Sequence, residues 1–135
     1  MGKKILVLGT GAQGTTVAKR LDLEPNVDKI ICADYDEAAA KELAASLNKA
    51  EGCFCNASEK AQITPLLEGC DLVVNALPLA FGKNVIDAAL EAKVNYQDFA
   101  APEGFEDTWE KCMYRLLGEY NEKFNEAGIL GIMGT

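Results

Sequence analysis

Three groups of residues in this chain have types and spacings that could do chemistry. The first is Gly9-Thr10-Gly11-Ala12-Gln13-Gly14, a G-x-G-x-x-G run. Glycines so spaced suit a turn that cradles phosphate. Gly9 permits a tight exit from a strand, Gly11 brings no side chain between backbone and pyrophosphate, and Gly14 lets the next helix pack close. The N-terminus of that helix offers unpaired N–H groups and a partial positive charge to an anion. The second is Asp34, twenty residues past Gly14. A carboxylate there can accept hydrogen bonds from the ribose hydroxyls of adenosine. It would repel a 2′-phosphate, and its neighbours Tyr35 and Asp36 bring no cation, so the expected cofactor is NAD in preference to NADP. Asp36 is the better helix cap, which leaves Asp34 free for a ligand. The third group is Asn56-Ala57, Asn75-Ala76-Leu77-Pro78 and Asp98. Each falls at the end of a later strand, on the side where ligands of such sheets bind. Asn56 and Ala57 are expected beside adenine and the Asn75–Pro78 segment beside the nicotinamide-side ribose. Asp98 reads either as a polar contact near the nicotinamide or as a loop hydrogen-bonder.

Composition narrows the chemistry. The chain has 135 residues and no histidine, so Ser–His and Cys–His nucleophilic schemes and histidine metal sites are out. No catalytic residue is assigned from the sequence. The five cysteines are an odd number set mostly in apolar runs, as expected of buried thiols in a reducing, cytoplasmic setting. Cys53-x-Cys55 has no second pair to complete a tetrahedral site, so no metal is expected. Residues 1–50 hold seven acids and seven bases, whereas residues 51–135 hold fourteen acids and six bases, the whole of the net charge of −8. Such a balance argues against nucleic acid as a partner, and any phosphate ligand belongs in the neutral half. No apolar run is long enough to cross a membrane.

These residues must be positioned by alternating elements. Ile5–Leu8 reads as a strand buried on both faces, residues 12–21 as a helix and 29–33 as a second strand. Asp36 caps a helix over 37–48, in which Glu37 and Lys41 pair. A short strand follows near Cys53–Cys55. Ser58 is expected to cap the next helix, which Pro65 must kink or delay. Strands at 71–74 and 94–99 flank a helix over 80–92. A long helix over 106–126 carries Trp109, Met113, Leu116, Leu117, Tyr120 and Phe124 as its inward stripe, and Gly128 stops it before a sixth strand at 129–133. The fold class is α/β: a doubly wound, parallel, six-stranded sheet with helices on both faces, a Rossmann fold in one domain over residues 1–135.

Together these segments resemble the saccharopine dehydrogenase family, which includes lysine dehydrogenases and carboxynorspermidine synthases. The resemblance rests on Val7–Gly14, Cys32-Ala33-Asp34, Asp71–Pro78 and Val94-Asn95-Tyr96-Gln97-Asp98-Phe99. It implies hydride transfer between NAD(P) and a carbon–nitrogen bond of an amino-acid-derived substrate, as in lysine metabolism. Asn56 departs from the pattern, since the family often has Asp there. The family's substrate and acid–base groups lie mostly in a further domain. The expectation is therefore a dinucleotide-binding domain without its catalytic partner, inactive alone and able to meet substrate only with that domain. A homodimer is one arrangement the resemblance allows for the full-length protein. Two other classes fit the glycine loop and the acid: a non-enzymatic NAD-sensing regulatory domain, and a methyltransferase that binds adenosylmethionine.

Overall fold

A computed structural model describes residues 2–100 and 104–134. Its six strands are β1 (Lys3–Leu8), β2 (Val27–Asp34), β3 (Ala50–Phe54), β4 (Leu72–Asn75), β5 (Asn95–Asp98) and β6 (Gly131–Ile132). They form one sheet in the order β3-β2-β1-β4-β5-β6, with every pair parallel. The chain winds outward one way from β1 to β3 and the other way from β4 to β6. The reversal lies between β1 and β4, where crevices open at the carboxyl ends of the strands. Register sets those ends side by side, with Leu8 opposite Ala33 and Asn75, and Asn75 opposite Asp98.

β1 is apolar throughout its second half because both faces are covered. Ile5 and Val7 join Ala18, Ile30, Cys32 and Leu43 under α1 (Ala12–Asp22) and α2 (Glu37–Ala45). Leu6 and Leu8 join Val73, Ile86, Tyr96 and Phe124 on the other face. That face is covered by α3 (Lys60–Ile63), α4 (Gly82–Ala92) and the helical run α5 (Trp109–Arg115) to α6 (Asn121–Ala127). The five cysteines are free thiols. No helix among the described residues is long and apolar enough to cross a membrane.

Several expected boundaries hold for the expected reason. The Asp36 side chain accepts from the Ala39 N–H at 3.0 Å and starts α2, and Lys41 pairs with Glu37 at 2.8 Å. Gly128 ends α6 at φ +70°, a left-handed cap suited to glycine. Pro65 sits where α3 tightens into a 3₁₀ turn over Thr64–Leu67.

Others differ. α2 stops at Ala45 rather than at 48, because the Asp22 carboxylate takes the Asn48 N–H at 3.0 Å and the Lys49 N–H at 2.9 Å and draws the chain into β3. Ser58 does not cap α3. Its N–H donates to Asn56 Oδ1 at 3.1 Å, so it belongs to the preceding turn and the helix begins at Lys60. β6 is two residues long, not five. The inward stripe of the last helix is Cys112, Leu116, Tyr120 and Phe124, while Trp109 and Leu117 lie 59 % and 76 % exposed. Leu116–Tyr120 form a π-helical turn between α5 and α6. Four-residue steps drift by roughly 40° each in an α-helix. The wider π turn takes up that drift and keeps all four residues against the sheet.

Candidate functional site

The glycine run leaves β1 directly. Gly9 has φ +94°, a left-handed conformation that L side chains rarely adopt, and its N–H donates to Ala33 O at 2.8 Å, extending the ladder. A Cβ on Gly14 would sit 1.8 Å from Gly9 O, so the absent side chain is what lets α1 begin against the loop. A Cβ on Gly11, by contrast, would meet nothing within 4 Å. Gly11 is the N-cap residue of α1, with no side chain over the helix end and no acid in the first turn. The first N–H groups of α1 have no partner within the helix, and the residues that carry them, Ala12 and Gln13, are exposed.

Asp34 ends β2 beside this loop. It is not the free carboxylate expected from the sequence. Its Oδ2 accepts from the Thr10 N–H at 2.7 Å and from the Thr10 hydroxyl at 2.9 Å, and its Oδ1 accepts from the Asp36 N–H at 2.9 Å. Partial burial pushes the carboxyl up, but the hydrogen bonds from Asp36, Thr10 and Tyr35 outweigh it and hold Asp34 below the usual aspartate range. Asp34 therefore stays ionised while it ties the glycine loop to the end of β2.

A cleft of about 560 Å³ opens over these groups. It is lined by Gly9, Gly11, Asp34 and Tyr35, by Asn56, Ala57 and Ser58, and by Ala76, Leu77, Pro78 and Phe81. Tyr35 is exposed and packs on Phe54 with ring centroids 5.4 Å apart. The Asn56–Ser58 loop is fixed from two sides: the Asn56 N–H donates to Gln62 Oε1 at 3.0 Å, and the Asn84 amide donates to the Ala57 and Ser58 carbonyls at 3.1 and 3.0 Å. Leu77 also borders a smaller cavity of about 30 Å³, shared with Gln13, Asn75 and Asp98. The chain thus places Gly9, Gly11, Asp34, Tyr35, Asn56, Ala57 and Ala76–Pro78 around one cleft, and Gln13, Asn75 and Asp98 around its neighbour. Thr10 and Gly14 line neither cavity, and Ala12 starts the helix.

Behind the second cavity lies a buried polar chain. The Leu77 N–H donates to Asn75 Oδ1 at 3.1 Å, the Asn75 amide to the Tyr96 hydroxyl at 3.1 Å, and the Tyr96 hydroxyl to Asp98 Oδ2 at 2.6 Å. Gly134 N–H closes it on Asp98 Oδ1 at 2.7 Å. Burial pushes the Asp98 carboxyl above its ordinary value, against hydrogen bonds from Tyr96, Gly134 and Ala100 that pull it down. Burial also pushes the Tyr96 hydroxyl up, helped by the neighbouring Asp98 charge, so it stays protonated. The sequence reading missed Tyr96, because a tyrosine in a buried strand looks like core. The available signal was its place two residues before Asp98, on the same side of β5. Phe81 and Ser58 were missed as lining residues too. Among the described residues no three His, Cys, Asp or Glu side chains are grouped to hold a metal ion.

Residues 5–132 match the family model described as the saccharopine dehydrogenase NADP binding domain. A carboxyaminopropylagmatine dehydrogenase of Synechocystis sp. is 29% identical over 97% of this chain and 33% of its own length. A carboxynorspermidine synthase of Vibrio alginolyticus is 30% identical over 97% of this chain and 35% of its own length. The chain therefore spans about a third of the curated relatives it matches. Among solved structures, apo saccharopine dehydrogenase (L-Glu forming) from Saccharomyces cerevisiae superposes with a TM-score of 0.77 at 21% identity, covering 98% of this chain and 27% of that one. With the match running from β1 to β6, the chain belongs to the saccharopine dehydrogenase family, as a nicotinamide dinucleotide-binding domain of its oxidoreductases.

Proposed function

We propose that this chain is the cofactor-binding part of an oxidoreductase that moves hydride between a nicotinamide dinucleotide and a carbon–nitrogen bond of an amino-acid-derived substrate, and that it prefers NAD. The observation that carries the preference is the ionised Asp34 lining the cleft, with Tyr35 and Asp36 beside it and no cation among the described residues that line it. The family model is described as NADP-binding. At Asp34, however, a 2′-phosphate would face a like charge, while ribose hydroxyls would find an acceptor.

The residues fit such a cofactor. The space above Gly11 admits a pyrophosphate, and the start of α1 supplies N–H groups to it. Asn56, Ala57 and Tyr35 border the adenosine end, and Asn75–Pro78 with Asp98 border the nicotinamide end. When bound, the dinucleotide supplies or accepts the hydride. The chain's own part is to hold the two ends apart on a rigid strand edge and to keep water from the apolar wall of Leu77, Pro78 and Phe81.

The amino-acid-derived substrate is inferred from the two curated relatives, each named for a carboxylated amine. We place its recognition and the acid–base groups outside these residues. The support is that the chain spans about a third of those relatives. The five free thiols favour a reducing, cytoplasmic setting. Calorimetric titration with NADH and NADPH tests the reading. Tighter NADH is expected. Equal or tighter NADPH overturns the preference, and binding of neither overturns the cofactor role. Reduced-nicotinamide absorbance with saccharopine, lysine or a polyamine precursor should not change over the isolated chain. Turnover there would place the catalytic groups within it.

A further inference from the structure

Nicotinamide sites are usually described by the groups that touch the cofactor. Tyr96 lines neither cavity, yet its hydroxyl bonds to two residues that line the smaller one. We propose that Tyr96 is a positioning residue whose hydroxyl links the Asn75–Leu77 wall to Asp98, and so holds the nicotinamide end of the cleft in register independently of the adenosine end. The proposal rests on the reading of the cleft as a dinucleotide site.

The direction of every hydrogen bond in the chain is fixed. Leu77 N–H can only donate, so the side chain of Asn75 presents its oxygen to it and its amide to Tyr96. The Tyr96 hydroxyl accepts that amide and spends its one proton on Asp98, at 2.6 Å. Gly134 N–H, just past β6, donates to the other Asp98 oxygen. One hydroxyl therefore joins the carboxyl ends of β4, β5 and the segment after β6. Tyr96 is 1 % exposed, and Asn75 and Asp98 are 4 % exposed. With these side chains so deeply buried, losing one partner leaves the next unsatisfied. The adenosine end is held by different bonds, from Thr10 to Asp34 and from Asn84 to the 57–58 carbonyls. Among the described residues these two sets of bonds share none.

That separation makes the test. NADH spans both ends of the cleft, whereas ADP carries only adenosine and diphosphate. NADH affinity is measured by titration and ADP affinity by displacement of NADH, on the wild-type chain and on Tyr96→Phe. The variant should bind NADH roughly fivefold to tenfold more weakly, the size expected from losing one or two buried hydrogen bonds, and ADP within about twofold of wild type. Asp34→Ala, in the same assay, should weaken both. Equal losses on NADH and ADP in Tyr96→Phe, or no loss on NADH, overturn the proposal. If Tyr96→Phe does not melt cooperatively, Asp98→Asn is measured with the same two ligands and judged by the same outcomes. A wild-type chain that binds neither ligand brings down the dinucleotide reading instead.

Discussion

One oxygen of Asp34 accepts two hydrogen bonds from the same residue, the N–H and the hydroxyl of Thr10, at 2.7 and 2.9 Å. The carboxylate proposed to meet an adenosine ribose is thus also the latch of the glycine loop. A ligand hydroxyl must share that oxygen or use the other, which also takes the Asp36 N–H.

Replacing Asp34 by Ala removes both roles. Hydrogen bonds to a charged acceptor contribute about 1.5–3 kcal/mol each, so NADH affinity should fall by roughly tenfold to a hundredfold. NADPH should lose less, because a like charge facing the 2′-phosphate goes with the carboxylate. Parallel titrations check this. A preference for NADH that survives undiminished would place the discrimination elsewhere.

Two glycines of the same run should fail differently. A methyl on Gly14 collides with Gly9 backbone at 1.8 Å, whereas one on Gly11 meets only open cleft. Gly14→Ala should cost about 1–3 kcal/mol, lowering Tm by roughly 3–10 °C. Gly11→Ala should melt closer to wild type than Gly14→Ala, losing only the preference of an N-cap for Gly over Ala, and should bind NADH poorly, its methyl standing where the pyrophosphate would approach. Thermal melts beside titrations separate the two. A Gly11→Ala chain that binds normally would put the phosphates elsewhere.

The Asp98 carboxyl, raised by burial, gives a pH signature. The folded chain holds that proton more tightly than the unfolded one. The stability this contributes is complete below the ordinary aspartate value of about 4 and is lost as pH rises through the raised value. Asp34, held low, runs the opposite way: its contribution is present above that ordinary value and disappears as acid protonates it. In Asp98→Asn the first effect is gone. The stability of wild type relative to Asp98→Asn should therefore decline as pH rises through the mildly acidic range, measured by denaturant unfolding at a series of pH values. A difference that stays flat or grows would show that Asp98 is not raised.

The β1–α1–β2 unit was legible because each of its signals has one physical reading. A buried run, three glycines at fixed spacing and an acid at a strand end all describe the same turn. Asp36 as cap and Gly128 as stop were legible for the same reason. The state of Asp34 was not, since its latch is made with Thr10, twenty-four residues away in sequence. Ser58 looked like a cap until Asn56 claimed its N–H. Tyr96 was hidden because the use of its hydroxyl depends on Asn75 arriving at the end of the neighbouring strand β4, beside Asp98 of its own strand. The last helix misled because its apolar residues fit an α-helical stripe, while the chain winds wider at Leu116–Tyr120.

That wider turn has a consequence for how the sequence can change length. Cys112, Leu116, Tyr120 and Phe124 are spaced four, four and four, one residue more than the four, three and four of an unbroken α-helical face. The π turn is thus an absorbed insertion. Deleting Gly118, which is exposed and whose Cβ would touch nothing within 4 Å, should leave a straight helix presenting the same four side chains to the sheet. Deleting Ala88 from the regular α4 should instead rotate everything after it by roughly 100° and abolish cooperative melting. If both deletions unfold the chain, the surplus residue is structural after all. If only the second does, the last helix is a place where this fold can gain or lose a residue without disturbing the cleft.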